Sequence, residues 1–266
     1  MKPDATIPRP LKTLVAILFI TLVPIFLIAV SVRWVINFPP LYSYGFDQYD
    51  IPSRTGIERD ELISAGKQIR DYFNNDEEYF AVRAVVRGIL YQNIYNEREV
   101  LHMKDVKALV RGVYRVSELT GLYLLAVLVG GLAIWGRRFT PSIATLIGWG
   151  GWATVVLLVV VGLAMTVGFD RLFLAFHLIS FTNDLWQLDP RRDYLIAMFP
   201  EVFFFTATVL IIVSVTFLSI CLIIASWIMR KKLQPQTDTE EPSDNRTPAQ
   251  NALTQKDSLE EVNQCQ

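Results

Sequence analysis

Residues 142–169 read SIATLIGWGGWATVVLLVVVGLAMTVGF and contain no charged side chain. A helix needs roughly 20 apolar residues to cross the hydrocarbon layer of a bilayer, and this run has 28. Three other runs share its character: Thr13–Val32, Leu119–Gly136 and Val202–Met229, of 20, 18 and 28 residues. The 266-residue chain is 52% hydrophobic and 19% charged, against ~25% charged in ordinary soluble domains. Four transmembrane helices are the expectation. Pro24 in the first run is compatible with one, because membrane helices tolerate proline. That run exceeds the ~7–15-residue apolar part of a signal peptide, so it reads as an uncleaved anchor.

The charges between the runs orient them. Lys2, Arg9 and Lys12 precede the first run, Arg137 and Arg138 link the second to the third, and Arg230, Lys231 and Lys232 follow the fourth. With four crossings these clusters fall on one side, which the positive-inside rule makes cytoplasmic. The expected organisation has a cytoplasmic N-terminus and first transmembrane helix at 1–36. An extracytoplasmic loop domain with an interfacial helix fills 37–118. The second and third spans occupy 119–169, an extracytoplasmic interfacial loop 170–201, and the fourth span 202–229. A cytoplasmic tail follows at 230–266. Beyond Lys232 the chain is polar and lacks aromatic residues, a composition that predicts disorder.

Within the first loop, Gly56–Phe73 has helical spacing and Val82–Tyr95 suits strand pairing. Lys104–Ser117 puts Val106, Leu109, Val110, Val113 and Val116 on one face and Lys104, Lys107, Arg111 and Arg115 towards the other. Standing straight on the second span, this helix would lift His102 roughly 25 Å above it with its apolar face wet. It is therefore expected to lie in the membrane interface. The apolar run Leu172–Phe181 is too short to span and predicts an interfacial or re-entrant segment, and Arg192–Phe199 a helix leading back to the fourth span. Trp34 and Trp186 suit the outer interface, Trp135 and Trp227 the inner one. The fold class is an α-helical integral membrane protein with a mixed α/β extracytoplasmic domain formed mainly by the first loop.

A net charge of −1 provides no field for nucleic acid. Cys221 in an apolar run and Cys265 in the tail exclude a disulfide scaffold. The chain has two histidines, His102 and His177, both on the predicted extracytoplasmic side. Imidazoles suit proton transfer near neutral pH, and two at one interface could act as base and acid. Each could equally be an ordinary interface residue. Asp105, three residues after His102, could fix its tautomer or favour a helix start. Asn183 and Asp184 could orient His177 or cap a turn. The two histidines with Asp105 and Asp184 could also hold a metal, but no compact ligand spacing supports it. Ser180 beside His177 is a weak nucleophile candidate. Charges inside the spans, which mark channels and transporters, are absent.

The stretch YNEREVLHMKDVK at 95–107 resembles the lipoprotein intramolecular transacylase (Lit) family of bacterial membrane proteins. So does FHLISFTNDLW at 176–186, followed by Leu188-Asp189-Pro190 and Phe199-Pro200-Glu201. The likeness runs from about residue 12 to 229. It implies a cytoplasmic-membrane acyltransferase acting on diacylglyceryl lipoproteins, with the phospholipid bilayer as its setting and without a cofactor. The sn-2 acyl chain of the substrate moves to the α-amine of its N-terminal cysteine, giving a lyso-form lipoprotein. The residues accommodate this chemistry. The α-amine, of pKa ~7.7–8.0, is within reach of a histidine base, and no enzyme nucleophile is required because the substrate supplies the acceptor. His102 is assigned as general base, oriented by Asp105. His177 is assigned to stabilise the oxyanion and protonate the leaving oxygen. The reverse assignment stays open. A non-catalytic membrane scaffold or lipid-binding accessory protein is the rival class, and a metal-dependent membrane hydrolase a weaker one.

The orientation is testable in chains lacking the native cysteines. A cysteine at Asn74 should react with an impermeant thiol reagent in intact cells, and one at Thr239 should not. Reversed labelling would overturn the orientation.

Overall fold

The computed structural model describes residues 8–233, so the expectations for Lys2 and for the tail beyond Leu233 lie outside the described residues. Helix α1 (Arg9–Ile36) passes through Pro24 unbroken. Helices α2 (Pro39–Gln48), α3 (Ile51–Thr55) and α4 (Arg59–Asn74) follow, then an antiparallel hairpin of β1 (Ala84–Val86) and β2 (Ile89–Tyr91). Arg87 and Gly88 both have positive φ, 50° and 82°, as a two-residue type I′ hairpin turn requires. Helix α5 (Glu97–Trp135) leads through a 3-10 turn, Gly136–Phe139, into α6 (Thr140–Met165). Helices α7 (Phe169–Ser180), α8 (Tyr194–Met198) and α9 (Glu201–Leu233) complete the order.

Among the described residues, three helical stretches are long and apolar enough to cross a membrane: Arg9–Ile36, Glu97–Met165 and Glu201–Leu233. The second contains α5, the 3-10 turn and α6. Gly136, at φ 58° and ψ −142°, ends α5 in a conformation open chiefly to glycine. Helix α1 packs along both α5 and α6, so the chain reverses at this turn.

Two hydrophobic cores result. One joins the long helices through Phe19, Val23, Leu27, Leu124, Leu146 and Val215. The outward faces of these helices are also apolar, with Leu119, Leu122, Val156 and Phe217 more than 60% exposed. So large an apolar surface suits lipid rather than water. The other core forms a head domain around Phe46, Ile51, Leu62, Phe80, Val82 and Met198. In it Tyr42, Phe46, Phe199 and Phe203 meet at centroid distances of 5.0–6.5 Å, so the start of α9 is packed onto α2.

Two expectations change. Lys104–Ser117 does not form a separate helix lying in the interface. It is the first half of α5, continuous with the apolar run from Leu119. The head domain packs on this half and covers Met103, Val110 and Tyr114, which removes the objection that a projecting helix would be wet. The covered face is rotated from the one the valines suggested. Lys107 is buried, donating to Asn75 Oδ1 at 3.0 Å and lying 3.9 Å from the Tyr72 ring centroid. The strand content is also smaller than the Val82–Tyr95 pattern implies. Beside the short hairpin, Asn93 Oδ1 accepts from the backbone N–H groups of Val82 and Tyr95. A side chain thus replaces strand partners, and among the described residues the strands of the head domain amount to one short hairpin and an isolated bridge between Ile57 and Val86.

Helix α5 starts with a capping box in which Asn96 and Glu99 bond each other's backbone N–H groups. Glu99 is fully buried. Its second oxygen accepts from Leu195 N at 2.6 Å, and Asn96 Nδ2 donates to Asp193 Oδ1 at 2.9 Å. The cap therefore fastens α8 to α5. Glu99→Ala should strand the buried Leu195 N–H and the partly buried Asn96 N–H and destabilise the protein by about 2–4 kcal/mol, read as a lower unfolding temperature in detergent. Glu99→Gln should lose less. An unchanged unfolding temperature for Glu99→Ala would refute the linkage.

Candidate active site

The first turns of α5 carry His102 and the last turns of α7 carry His177. The Asn96 cap sets where α5 begins, and so places His102 in its second turn. The 181–193 segment then returns across both side chains before α8. The two imidazoles lie 6.4 Å apart, centroid to centroid, with planes inclined by 29°. They share a cleft of about 350 Å³ that is also lined by Phe173, Trp186, Leu195 and Phe204. Residues 75 positions apart in the chain are thus joined in one aromatic-walled space. Phe181 stands 5.1 Å from His102 and 5.7 Å from His177. Phe173 and Trp186 lie 4.4 and 5.1 Å from His177.

The two histidines differ in environment. His177 Nδ1 is 2.7 Å from the carbonyl oxygen of Phe173. A carbonyl only accepts, so Nδ1 carries the proton, and Nε2 of the neutral ring holds a lone pair. His102 is only 6% exposed, and its Nδ1 has no hydrogen-bond partner among the described residues. Burial, then the neighbouring His177, pushes the His102 pKa down to about 4, and Asp105 acts in the opposite direction. His102 is therefore neutral at physiological pH.

The three supporting candidates hold the segment rather than the rings. Asp105 Oδ2 accepts from Asn183 Nδ2 at 2.8 Å, so the carboxylate is turned to the loop and not to His102. Asn183 Oδ1 caps the following turn by accepting from Leu185 N at 3.1 Å. Asp184 is largely exposed. Its backbone carbonyl accepts from Arg98 Nη2 and its carboxylate lies 3.8 Å from that group. Ser180 does not line the cleft. Among the described residues no group of three or more His, Cys, Asp or Glu is placed to hold a metal.

Sequence reasoning missed Glu99, Arg98, Asp189 and Asp193. The Asn96-x-x-Glu99 spacing of a capping box could have pointed to Glu99. Nothing local marks Asp193, which is buried because the 181–193 segment folds onto α5. Asp189 lines the cleft, and hydrogen bonds from the Arg191 side chain and backbone hold its carboxyl at a pKa of about 2. In Glu99, burial raises the carboxyl pKa while backbone N–H donors oppose the rise.

Helices long and apolar enough to cross a bilayer define an integral membrane protein, and its head domain holds two imidazoles in an aromatic-walled cleft with no Ser, Thr or Cys among the lining residues. The family model "Lipoprotein intramolecular transacylase Lit" matches residues 17–204, and the chain belongs to that family. No curated protein matches it. The solved in meso structure of the membrane integral transacylase Lit from Bacillus cereus is similar, with a TM-score of 0.72 at 21% identity, covering 85% of this chain and 98% of that one. Forms of the same protein with histidine-to-arginine and histidine-to-alanine substitutions match at TM-score 0.68 and 20% identity. They cover 84% of this chain and 93% and 94% of theirs.

The depressed His102 pKa makes stability depend on pH. Between about pH 6.5 and 4 the unfolded chain binds a proton at His102 that the folded chain does not. Stability from this residue is complete above pH 6.5 and falls as pH drops through that window, by up to about 3 kcal/mol. His102→Gln should narrow the difference in unfolding temperature between pH 7 and 4.5. An unchanged difference would refute the buried neutral state.

Proposed function

We propose that the chain crosses the bacterial cytoplasmic membrane four times, with both termini inside and the histidine cleft at the extracytoplasmic face. In this reading it moves the sn-2 acyl chain of a diacylglyceryl lipoprotein to the α-amine of its N-terminal cysteine. The observation that carries the reading is the meeting of His102 and His177 in one cleft, from the two stretches that resemble the family. The reversal at Gly136 and the basic clusters support the four crossings and their orientation.

The geometry supports roles opposite to those assigned from sequence. His177, with Nδ1–H held by Phe173, offers the Nε2 lone pair as general base. His102, kept neutral, offers a ring N–H to the oxyanion without carrying a charge that must be desolvated. The cysteine α-ammonium loses one proton to water, and the neutral nitrogen attacks the sn-2 ester carbon. His177 takes the second nitrogen proton and returns it to the glycerol oxygen as the C–O bond breaks. One amide, one free hydroxyl and one released proton result. No nucleotide is required, since an ester gives way to the more stable amide. Aromatic walls exclude water, which would otherwise compete for the ester, and both reacting groups belong to one substrate molecule, which supplies proximity. Asp105, Asn183 and Asp184 act by holding the 181–193 segment over the cleft.

Each single His→Ala variant should lose about 10²–10⁴-fold in N-acyl lipopeptide yield at matched membrane abundance. The double variant should be little worse. His102→Gln keeps a donor and should retain more activity than His102→Ala, whereas His177→Gln should be as poor as His177→Ala. Equal losses in both Gln variants would remove this division of roles. Full activity in both Ala variants would leave a non-catalytic scaffold as the better reading.

A further inference from the structure

Phe204, which lines the histidine cleft, and Arg230 lie on the same helix, α9, 26 residues apart. At 1.5 Å per residue this is about 39 Å, the thickness of a bilayer with part of its headgroups. At the Arg230 end a second cleft of about 500 Å³ opens between α6 and α9. Its walls are Trp149, Trp152 and Trp227, which are 59%, 54% and 62% exposed, together with Ile223. Among the described residues, Lys231 alone makes a cation–π contact with these rings, at Trp227.

The floor of the cleft is closed and the mouth is cationic. Gly148 lets α9 come close: a Cβ there would meet Ser226 Oγ at 2.4 Å and would lie 3.6 Å from Arg230 Nη2. Ser226 Oγ instead donates to the Ala144 carbonyl at 2.6 Å, so its proton is already used and the floor makes no polar demand. The Arg230 guanidinium is folded back towards α6 by the same gap. It has no ion pair among the described residues, and neither α6 nor α9 beyond Glu201 carries a carboxylate. Lys231 Nζ stands 5.4 Å from the Trp227 ring centroid, a second cation at the mouth.

We propose that this cleft binds one anionic phospholipid of the cytoplasmic leaflet, with its phosphate on Arg230 and an acyl chain along the three indoles. A guanidinium matches a phosphate in geometry as well as charge, and indoles offer broad apolar walls with a polar edge near the headgroups. A second copy of the chain is the poorer occupant. A two-fold contact through this face would set Arg230 and Lys231 of both copies against each other. The leaflet follows from the orientation proposed above, while the acyl-transfer chemistry has no part in the argument. The site lies too far along α9 to be the substrate pocket, so its occupant is a resident lipid of the fold.

The full-length protein in detergent, offered equal amounts of palmitoyl-oleoyl phosphatidylglycerol and phosphatidylcholine, is the test, read by native mass spectrometry. Wild type should retain one phosphatidylglycerol about fivefold over phosphatidylcholine, the preference expected for one basic contact. Arg230→Gln should bring the two lipids level while unfolding at the wild-type temperature. Trp152→Ala should lower the retention of both lipids. Equal retention by wild type, or a preference untouched in Arg230→Gln, would overturn the site. So would efficient crosslinking between copies through a cysteine at Trp149 in the bilayer.

Discussion

The Glu99 carboxylate accepts a hydrogen bond from the backbone at Asn96 and another from the backbone at Leu195, 96 positions further on. Most of the architecture around the histidines depends on this buried group. An unpaired carboxylate inside a protein is costly, and this one is tolerable only when the α5 cap and the start of α8 are both present to donate. The requirement is mutual. Asn96 caps α5 with one end of its amide and holds Asp193 with the other, and Asp193 Oδ2 accepts from Asp189 N at 2.7 Å. The segment between α7 and α9 is thereby tied to the top of α5 by hydrogen bonds of the Glu99, Asn96 and Asp193 side chains, two of which end on backbone N–H groups.

That tie makes the histidine pair possible. His102 is on α5 just below the cap, and His177 arrives on α7, with the 181–193 segment anchored on both flanks of the rings. Arg98 and Asp105 hold the near side through Asp184 and Asn183, while Glu99 and Asn96 hold the far side through Leu195 and Asp193. Both rings are thus placed by a fixed backbone, and their protonation follows from placement. The ring with the tighter apolar surroundings is kept neutral, and the ring bonded to a helix carbonyl has its tautomer set. A cleft in which one imidazole is barred from charge and the other has a free lone pair is suited to moving a proton past a developing oxyanion.

The long helices serve two solvents. Their inner faces build a narrow core, with Phe19 and Val215 wholly buried, and their outer faces leave large apolar side chains uncovered. The head domain follows the rules of a water-soluble protein, with an aromatic core and charged surface residues. Helix α5 belongs to both regions. It enters through a capping box at Asn96 and ends at Gly136 with no charged residue beyond Glu118. A single rigid rod therefore couples the cleft to the spans, and the interfacial helix expected from its amphipathic first half is unnecessary once the head domain covers that half.

Composition alone settled the long helices, because a run without charges for 18 to 28 residues has few homes other than a bilayer. Local periodicity also marked a helix within Gly56–Phe73 and strand pairing within Val82–Tyr95, but not where the turn falls, since Arg87 N donates to the Gly56 carbonyl and Val86 bridges Ile57. The two histidines were also legible as candidates, being scarce and embedded in the two stretches that resemble the family. Their relation was not legible. Periodicity says nothing about which residues 75 positions apart will face one another, and the partners of Asp105, Asn183 and Glu99 all lie across the fold. Tertiary structure alone decided that Asp105 serves the loop, that Lys107 is buried, and that His102 loses its charge. Each of these outcomes depends on which groups approach from elsewhere in the chain, and a pKa or a burial is a property of that assembled surrounding rather than of the residue's own neighbours in sequence.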